Sequence, residues 1–504
     1  MSLESVLETT LERTVSENEL DGLILKASRA RSKSAPYGAG QGQAKKPSWH
    51  ARKPLRLLKM ELGNTLVLHP QTGAWTIVAP EGLGQVQAIL RASDEGLLDD
   101  IPDVENRPLV KSLVSCGLLG RAPMPAFGVS DVAKQRPLRL MILKIVGYCN
   151  LACRYCYDYD DATYHRTLDV QLGKRAIEEA LACTTLSLSI LFHGGEPLLA
   201  FDEIRVLTAF ARQAARRAGK DVNFSVQTNG TCFTGEIVDF LVTEEFAIGI
   251  SLDGPSHLND LVRIDRRGRG CHAAVEASLE RYPVLRRTAG VLTTVTSVNA
   301  RELRRVAEYV RDLGIRSFNA ALFLREGRAA GSSDGLSPSP EDLIAGYLDL
   351  LAGVESGAFD DIQIWPVLYY LRNVLTDARP NACLRNGGCG AARELVSVTV
   401  NGTVESCDCV RLPDLSLGSM ADSTIGEALH GQVAGLIKSR SECSLPRCSA
   451  CLYRAFCGGT CFARAGGLDK VNESECRLSR AVFGEIFKSL NRSSRLERYA
   501  QLHS

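Results

Sequence analysis

The 504-residue chain reads as α/β, a partial (β/α)6 barrel with a cysteine-rich C-terminal extension and a small winged-helix-like N-terminal domain. Three observations predict this. Between Leu138 and Leu324 six apolar strand-like runs alternate with amphipathic stretches, the pattern of a parallel sheet with helices outside it. The seventeen cysteines are concentrated, three within Cys149–Cys156 and ten within Cys383–Cys476. Residues 55–121 begin as short runs of alternating polarity and end as helix-like ones.

Composition narrows the class. Hydrophobic residues make up 45% and charged residues 23%, as in globular proteins with a large core. A net charge of +1 offers no footprint for nucleic acid or an anionic membrane. No apolar run is long enough to span a bilayer. The acidic, polar start lacks the basic and apolar regions of a secretory signal. A cytoplasmic location follows as the expectation, and there cysteines serve metals more often than disulfides.

In chain order, residues 1–54 are expected to be a flexible segment and linker. Leu3 to Ala27 allow one short helix, and Ser28 to Pro54 are rich in small and basic residues. Residues 55–125 hold two or three strands with a turn at Gln71-Thr72-Gly73, then helices near Gln85–Ala92 and Leu109–Leu119. The core, 138–325, has strand candidates Leu140–Val146, Leu188–Phe192, Val222–Gln227, Ala247–Leu252, Gly290–Thr296 and Ser317–Phe323. Six units are too few to close a barrel, so it is open. Connecting helices (326–382), a cysteine-rich domain (383–480) and a terminal helix (481–504) complete the chain.

After the first predicted strand stands Gly147-Tyr148-Cys149-Asn150-Leu151-Ala152-Cys153-Arg154-Tyr155-Cys156-Tyr157. Three thiolates spaced C-x3-C-x2-C can hold three irons of a [4Fe–4S] cube and leave the fourth open, whereas electron-transfer clusters and structural zinc use four protein ligands. The next three strands run into His193-Gly194-Gly195-Glu196-Pro197, Gln227-Thr228-Asn229-Gly230 and Ser251-Leu252-Asp253-Gly254-Pro255. Chemistry in such folds sits at the C-terminal ends of strands.

Together these motifs resemble the radical S-adenosylmethionine (radical SAM) superfamily, and the resemblance spans 138–324. It implies that Cys149, Cys153 and Cys156 hold a cluster whose open iron chelates S-adenosylmethionine. One electron then releases a 5′-deoxyadenosyl radical that abstracts a substrate hydrogen. Tyr155 and the loop Gly194, Gly195, Glu196 and Pro197 join the implied cofactor site. The glycines let backbone approach the methionine amino group, and Glu196 or backbone oxygens accept its protons. Asn229, Ser251 and Arg263 complete the set, Ser251 and Arg263 binding carboxylate and ribose. Arg263 also heads a basic run to Arg269 of the kind found on solvated faces.

The C-terminal spacing, C-x12-G-x4-C from Cys389 through Gly402 to Cys407, then Cys448, Cys451, Cys457, Cys461 and Cys476, resembles the SPASM extension of peptide- and protein-maturing radical SAM enzymes. The resemblance implies two auxiliary [4Fe–4S] clusters, three clusters in all. Cys383, Cys389, Cys407 and Cys461 form the inner set and Cys448, Cys451, Cys457 and Cys476 the outer. Zinc is the rival reading of the C-x2-C pair. Cys409 and Cys443 are left over, and the proximity of Cys409 to Cys407 keeps a different ligand assignment open. Asp408, following Cys407, stands where sulfatase maturases carry a general base.

The function expected is a maturase that installs a thioether or carbon–carbon cross-link in a ribosomally made peptide or small protein subunit. The N-terminal domain resembles the PqqD-like peptide-recognition module of such enzymes, whose edge strand pairs with a leader peptide. The partners implied are that precursor and a flavodoxin- or ferredoxin-type electron donor. The alternative is an anaerobic sulfatase maturase that makes formylglycine from Cys or Ser. A third reading, from another class, is an iron–sulfur scaffold or electron-transfer protein.

Overall fold

The computed structural model describes residues 24–27, 48–121, 137–160, 164–331, 335–376, 383 and 388–504. The first strands are β1 (Ile24–Ala27), β2 (His50–Ala51), β3 (Arg56–Lys59), β4 (Thr65–Leu68), β5 (Trp75–Val78) and β6 (Leu119–Gly120). Four of them make an antiparallel sheet in the order β1-β5-β4-β3. Side chains alternate across a strand, and here both faces are used. Val67 and Val78 pack under the helix Pro80–Asp94, while Leu66, Leu68, Trp75 and Ile77 join the main core. Trp75 meets Phe487 edge-to-face at 5.3 Å and donates its indole N–H to Val374 O. The small domain is thereby fastened to the C-terminal helix Glu473–Arg492.

Within the first 54 residues, the described segments 24–27 and 48–54 depart from the flexible-linker expectation. Ile24–Ala27 is a strand rather than the end of a helix, paired antiparallel with β5. Lys26 anchors it, donating to Ser493 O at 2.7 Å and pairing with Glu497. Trp49 is buried, and His50–Ala51 pairs with β6. The rest of the expected helix and linker lies outside the described residues. The helix expected over Leu109–Leu119 stops at Ser115, because Gly117 takes a positive φ of 80° and turns the chain into β6.

The main sheet contains β7 (Leu140–Lys144), β8 (Ser187–His193), β9 (Asp221–Thr228), β10 (Ala247–Ser251), β11 (Ala289–Val295), β12 (Ser317–Leu322), β13 (Gln363–Ile364), β14 (Leu395–Val398), β15 (Thr403–Glu405) and β16 (Ser416–Ser419). Its order is β13-β12-β11-β10-β9-β8-β7-β14-β15-β16, with neighbours from β13 to β14 parallel. The six expected strands are therefore the middle of a ten-stranded sheet. The cysteine-rich extension adds β14 to the edge of β7, so it continues the barrel wall. Strands such as β11 alternate buried and half-buried residues. The buried face lies under the helices, and the other lines a lumen of 650 Å³ that reaches Gln227, Gly249, Leu292, Asn319, Trp365 and Tyr369. Among the described residues no helix is long and apolar enough to cross a membrane.

Candidate active site

The loop after β7 presents Cys149, Cys153 and Cys156. Backbone hydrogen bonds from Ala152 N to Ile264 O and Arg154 N to Val262 O, 2.7 and 2.9 Å, hold it against the segment after β10. Cys149, Cys153 and Cys156 pack with Leu151, Tyr155, Val262 and Leu336 in one apolar nest. Burial pushes the Cys149 thiol up to about 12 and that of Cys153 up to about 11. Buried neutral thiols of this kind ionise when a metal supplies the compensating charge. Three soft donors on one loop, screened from water, fit an iron–sulfur cube.

The Gly-Gly-Glu-Pro turn holds this loop in place from the next strand. A Cβ on Gly195, whose φ is +46°, would stand 2.0 Å from Tyr148 O, and one on Gly194 would stand 2.8 Å from Val146 O. Both glycines thus answer to the chain's own cluster loop, a role the sequence reading assigned to the cofactor alone. Glu196 also differs from expectation. It is fully buried and accepts from Thr228 Oγ1 at 2.6 Å, Asn229 N at 2.7 Å and Leu198 N at 3.1 Å. With its carboxylate engaged by three internal donors, Glu196 ties two strand-end loops together, and Pro197 begins the short helix that follows. Asn229 turns its Nδ2 toward Asn150 Oδ1 at 2.8 Å and Cys149 Sγ at 3.6 Å.

Arg263 is not part of a solvated basic face. It is 5% exposed and donates to the hydroxyl of Tyr155, which in turn donates to Asp253 Oδ2 at 2.6 Å. Asp253 is held by Thr294 N at 2.8 Å. The Arg263 Nε has no partner among the described residues, leaving a buried donor near Cys153. Ser251, at the end of β10, accepts from Gln227 Nε2 at 2.9 Å, and Gln227 lines the lumen. Asp253 and Gln227 sat within quoted motifs but were not singled out; polar residues at the ends of apolar strands were the available signal.

A second group forms where the extension meets this loop. Tyr157, the residue after Cys156, donates to Asp408 Oδ2 at 2.7 Å, and Cys407 Sγ lies 3.3 Å from Asp408 Oδ1. Burial opposes ionisation of Asp408, but His193, Lys144 and the Tyr157 hydroxyl hold it below the ordinary carboxylate range. Beside it, Asp158 accepts from both Lys144 and Arg411. Burial works against that carboxylate too, yet the two cations bring it down to about 2. Burial keeps His193 neutral, against the pull of Asp158 and Asp408. Sequence reading missed Tyr157, Asp158, Lys144 and Arg411 as site residues. A lysine closing the apolar run Leu-Met-Ile-Leu-Lys was the one visible hint.

The remaining cysteines fall into two neighbourhoods. Cys448 lies beside Cys451 and Cys476, and Cys457 beside all three. Cys476 sits in the first turn of the helix Glu473–Arg492, and the Cys448 backbone carbonyl accepts from Cys451 N at 3.0 Å. Cys383, Cys389 and Cys461 cluster elsewhere with Cys407 and Cys409. Glu475 joins the two regions, accepting from Cys461 N at 3.1 Å and pairing with Arg464.

Residues 143–316 match the Radical SAM superfamily. The chain is 26% identical over 341 residues to a cysteine-type anaerobic sulfatase-maturating enzyme of Clostridium novyi, covering 65% of this chain and 88% of that one. It is 25% identical over 356 residues to a serine-type enzyme of Bacteroides thetaiotaomicron, covering 65% and 83%. Among solved structures, native anSMEcpe with bound AdoMet superposes with a TM-score of 0.62 at 24% identity, covering 73% of this chain and 100% of that one. Streptococcus suis SuiB bound to precursor peptide SuiA superposes at 0.51 and 12% identity, covering 85% and 99%. The chain carries a radical SAM domain homologous to that of the sulfatase maturases.

Proposed function

We propose that this radical SAM enzyme is a maturase that installs a thioether or carbon–carbon cross-link in a ribosomally made peptide or small protein subunit. One observation carries a maturase reading of either kind. Asp408 is hydrogen-bonded to Tyr157 of the first cysteine loop and contacts Cys407 of the extension. The Asp408 carboxylate therefore links the two cysteine sites, next to a wall shared by barrel and extension.

Cys149, Cys153 and Cys156 would hold a [4Fe–4S] cluster that binds S-adenosylmethionine and supplies radical chemistry when reduced, and the cysteines of the extension would hold auxiliary clusters able to accept an electron. The protein's own residues do the rest. Arg263 keeps a buried guanidinium near Cys153, held in place by Tyr155, which is itself bonded to Asp253. Ser251 and Gln227 meet where β9 and β10 end, on the side of the sheet that carries the cysteine loop. Asp408, kept ionised by Lys144 and aimed by Tyr157, takes the proton the substrate gives up as its new bond closes. A flavodoxin or ferredoxin delivers the electron.

The N-terminal sheet supports a peptide substrate. β5 has its outer edge covered by β1, while β3 ends the sheet on the other side. Beside β3 runs an apolar groove of 410 Å³ lined by Leu55, Leu57, Val67, Val86 and Leu90. An extended peptide can add to this edge by main-chain hydrogen bonds and seat alternate side chains in the groove. A second reading has its own support: the relatives named as sulfatase-maturating enzymes. In that reading Asp408 serves the oxidation of a Cys or Ser to formylglycine.

Anaerobic reconstitution with S-adenosylmethionine, reductant and candidate substrate, read by mass spectrometry, separates the two. Loss of a hydrogen pair per acid-stable bridge supports the cross-link. An aldehyde-bearing residue in a sulfatase peptide replaces it with the second reading. Failure to form 5′-deoxyadenosine under any reducing condition removes both.

A further inference from the structure

Five thiols gather at the inner auxiliary site, one more than a [4Fe–4S] cube takes from protein. Cys383 lies within electrostatic reach of Cys389, Cys461 and Cys409. Cys407 lies within reach of Cys409 and Cys383, and Cys461 within reach of Cys389. The surplus thiol comes from one tight turn. Val410 N donates to Cys407 O at 3.2 Å, closing residues 407–410 on themselves, and the buried Val410 side chain pins the turn to the core. Cys407 and Cys409 flank the Asp408 carboxylate, with one ligand atom from each of the three residues within 4.8 Å of the others.

Cys409 also shares the surroundings of an accepted member of the set. Arg464 faces both Cys461 and Cys409, and it is fixed by Glu475, which holds the backbone of Cys461.

We propose that Cys407 and Cys409 are alternative ligands of one iron of the inner cluster, so that this coordination position is exchangeable. The proposal rests on the reading of Cys383, Cys389 and Cys461 as the other three ligands. In the exchange an Fe–S bond to one cysteine forms as the bond to the other breaks. The proton released by the incoming thiol is taken up by the outgoing one, and no electron is gained or lost. The Cys-Asp-Cys turn thereby always leaves one thiol beside Asp408, whichever sulfur holds the iron.

The test uses the full chain carrying Cys149→Ala, Cys153→Ala and Cys156→Ala, which confines iron to the auxiliary sites. After anaerobic reconstitution, iron, acid-labile sulfide and the electron paramagnetic resonance spectrum of the reduced protein are measured. Adding Cys407→Ala or Cys409→Ala alone should leave the iron content unchanged and alter the spectrum, because the other cysteine takes the iron. Adding both leaves three cysteines and one open iron, so added cyanide should shift the spectrum of the double variant and of neither single one. Circular dichroism reports folding, and Cys407→Val replaces a Cys407→Ala protein that fails to fold. A Cys409→Ala protein with an unaltered spectrum, beside a Cys407→Ala protein that has lost half its iron or whose spectrum cyanide shifts, overturns the exchange. A background protein that already binds only one cluster overturns the inner-cluster reading itself, a distinguishable failure.

Discussion

The first cysteine site and the inner auxiliary neighbourhood are built in opposite ways. The first takes Cys149, Cys153 and Cys156 from one short loop after β7, and the Gly194-Gly195 turn packs against that loop's backbone. The inner auxiliary neighbourhood takes Cys383, Cys389, Cys407, Cys409 and Cys461 from separate segments, brought together by β14 pairing with β7 and by Glu475 holding Cys461. A site on one loop is local chemistry on a fixed support. A site assembled from distant segments depends on the whole extension folding onto the barrel. Asp408 and Tyr157, joined at 2.7 Å, are where the local site and the assembled one meet.

The comparison can be broken at its strongest point first. Cys149→Ala removes one of the three proposed ligands on the local loop and should abolish S-adenosylmethionine cleavage, followed as 5′-deoxyadenosine by chromatography. Retention of cleavage would show that the local loop is not the cofactor site. Asp408→Asn attacks the assembled side. Cleavage should persist while product falls by about 10²–10⁴-fold, read by mass spectrometry on the same reaction; product at the normal rate would remove Asp408 as base.

Tyr157→Phe tests the link alone. Losing one hydrogen bond to a charged group costs about 1.5–3 kcal/mol, so product formation should fall roughly 10–100-fold while cleavage is kept. Equal losses of cleavage and product would place Tyr157 in the support of the first loop. The smallest effect belongs to the site farthest from the chemistry. Leu57→Asp puts a charge on the β3 edge, where Leu57 is 44% exposed. It should weaken precursor binding about tenfold, a loss of about 1.4 kcal/mol, with 5′-deoxyadenosine formation unchanged. Calorimetric titration with the precursor peptide gives the comparison, and unchanged affinity would move peptide recognition off this edge.

Legibility in the sequence followed the same divide. All six barrel strands were readable within a residue or two of their observed ends, because each is an apolar run bounded by turn residues. The Cys149 loop and the Gly194–Pro197 turn were readable because their spacing is itself the motif. β1 was not. Four residues, Ile-Leu-Lys-Ala, carry no period, and they become a strand only because β5 offers an unpaired edge and Glu497 a partner for Lys26. Arg263 looked like the head of a solvated run, since adjacent arginines suggest a common exposure; Asp253 and Tyr155, distant in sequence, draw it inside.

By itself the sequence determined the α/β alternation, the loop that carries the first three cysteines, and the thiols available to the extension. Each of these is encoded by residue spacing within a short window, where backbone geometry leaves few alternatives. Only the tertiary structure decided that the extension continues the barrel sheet through β14, that Glu196 is spent on Thr228 and Asn229, and that Asp408 rests against Tyr157 with a cysteine on either side. Those outcomes depend on pairings between residues tens to hundreds apart, chosen by which edges and buried polar groups remain unsatisfied once the local elements have formed.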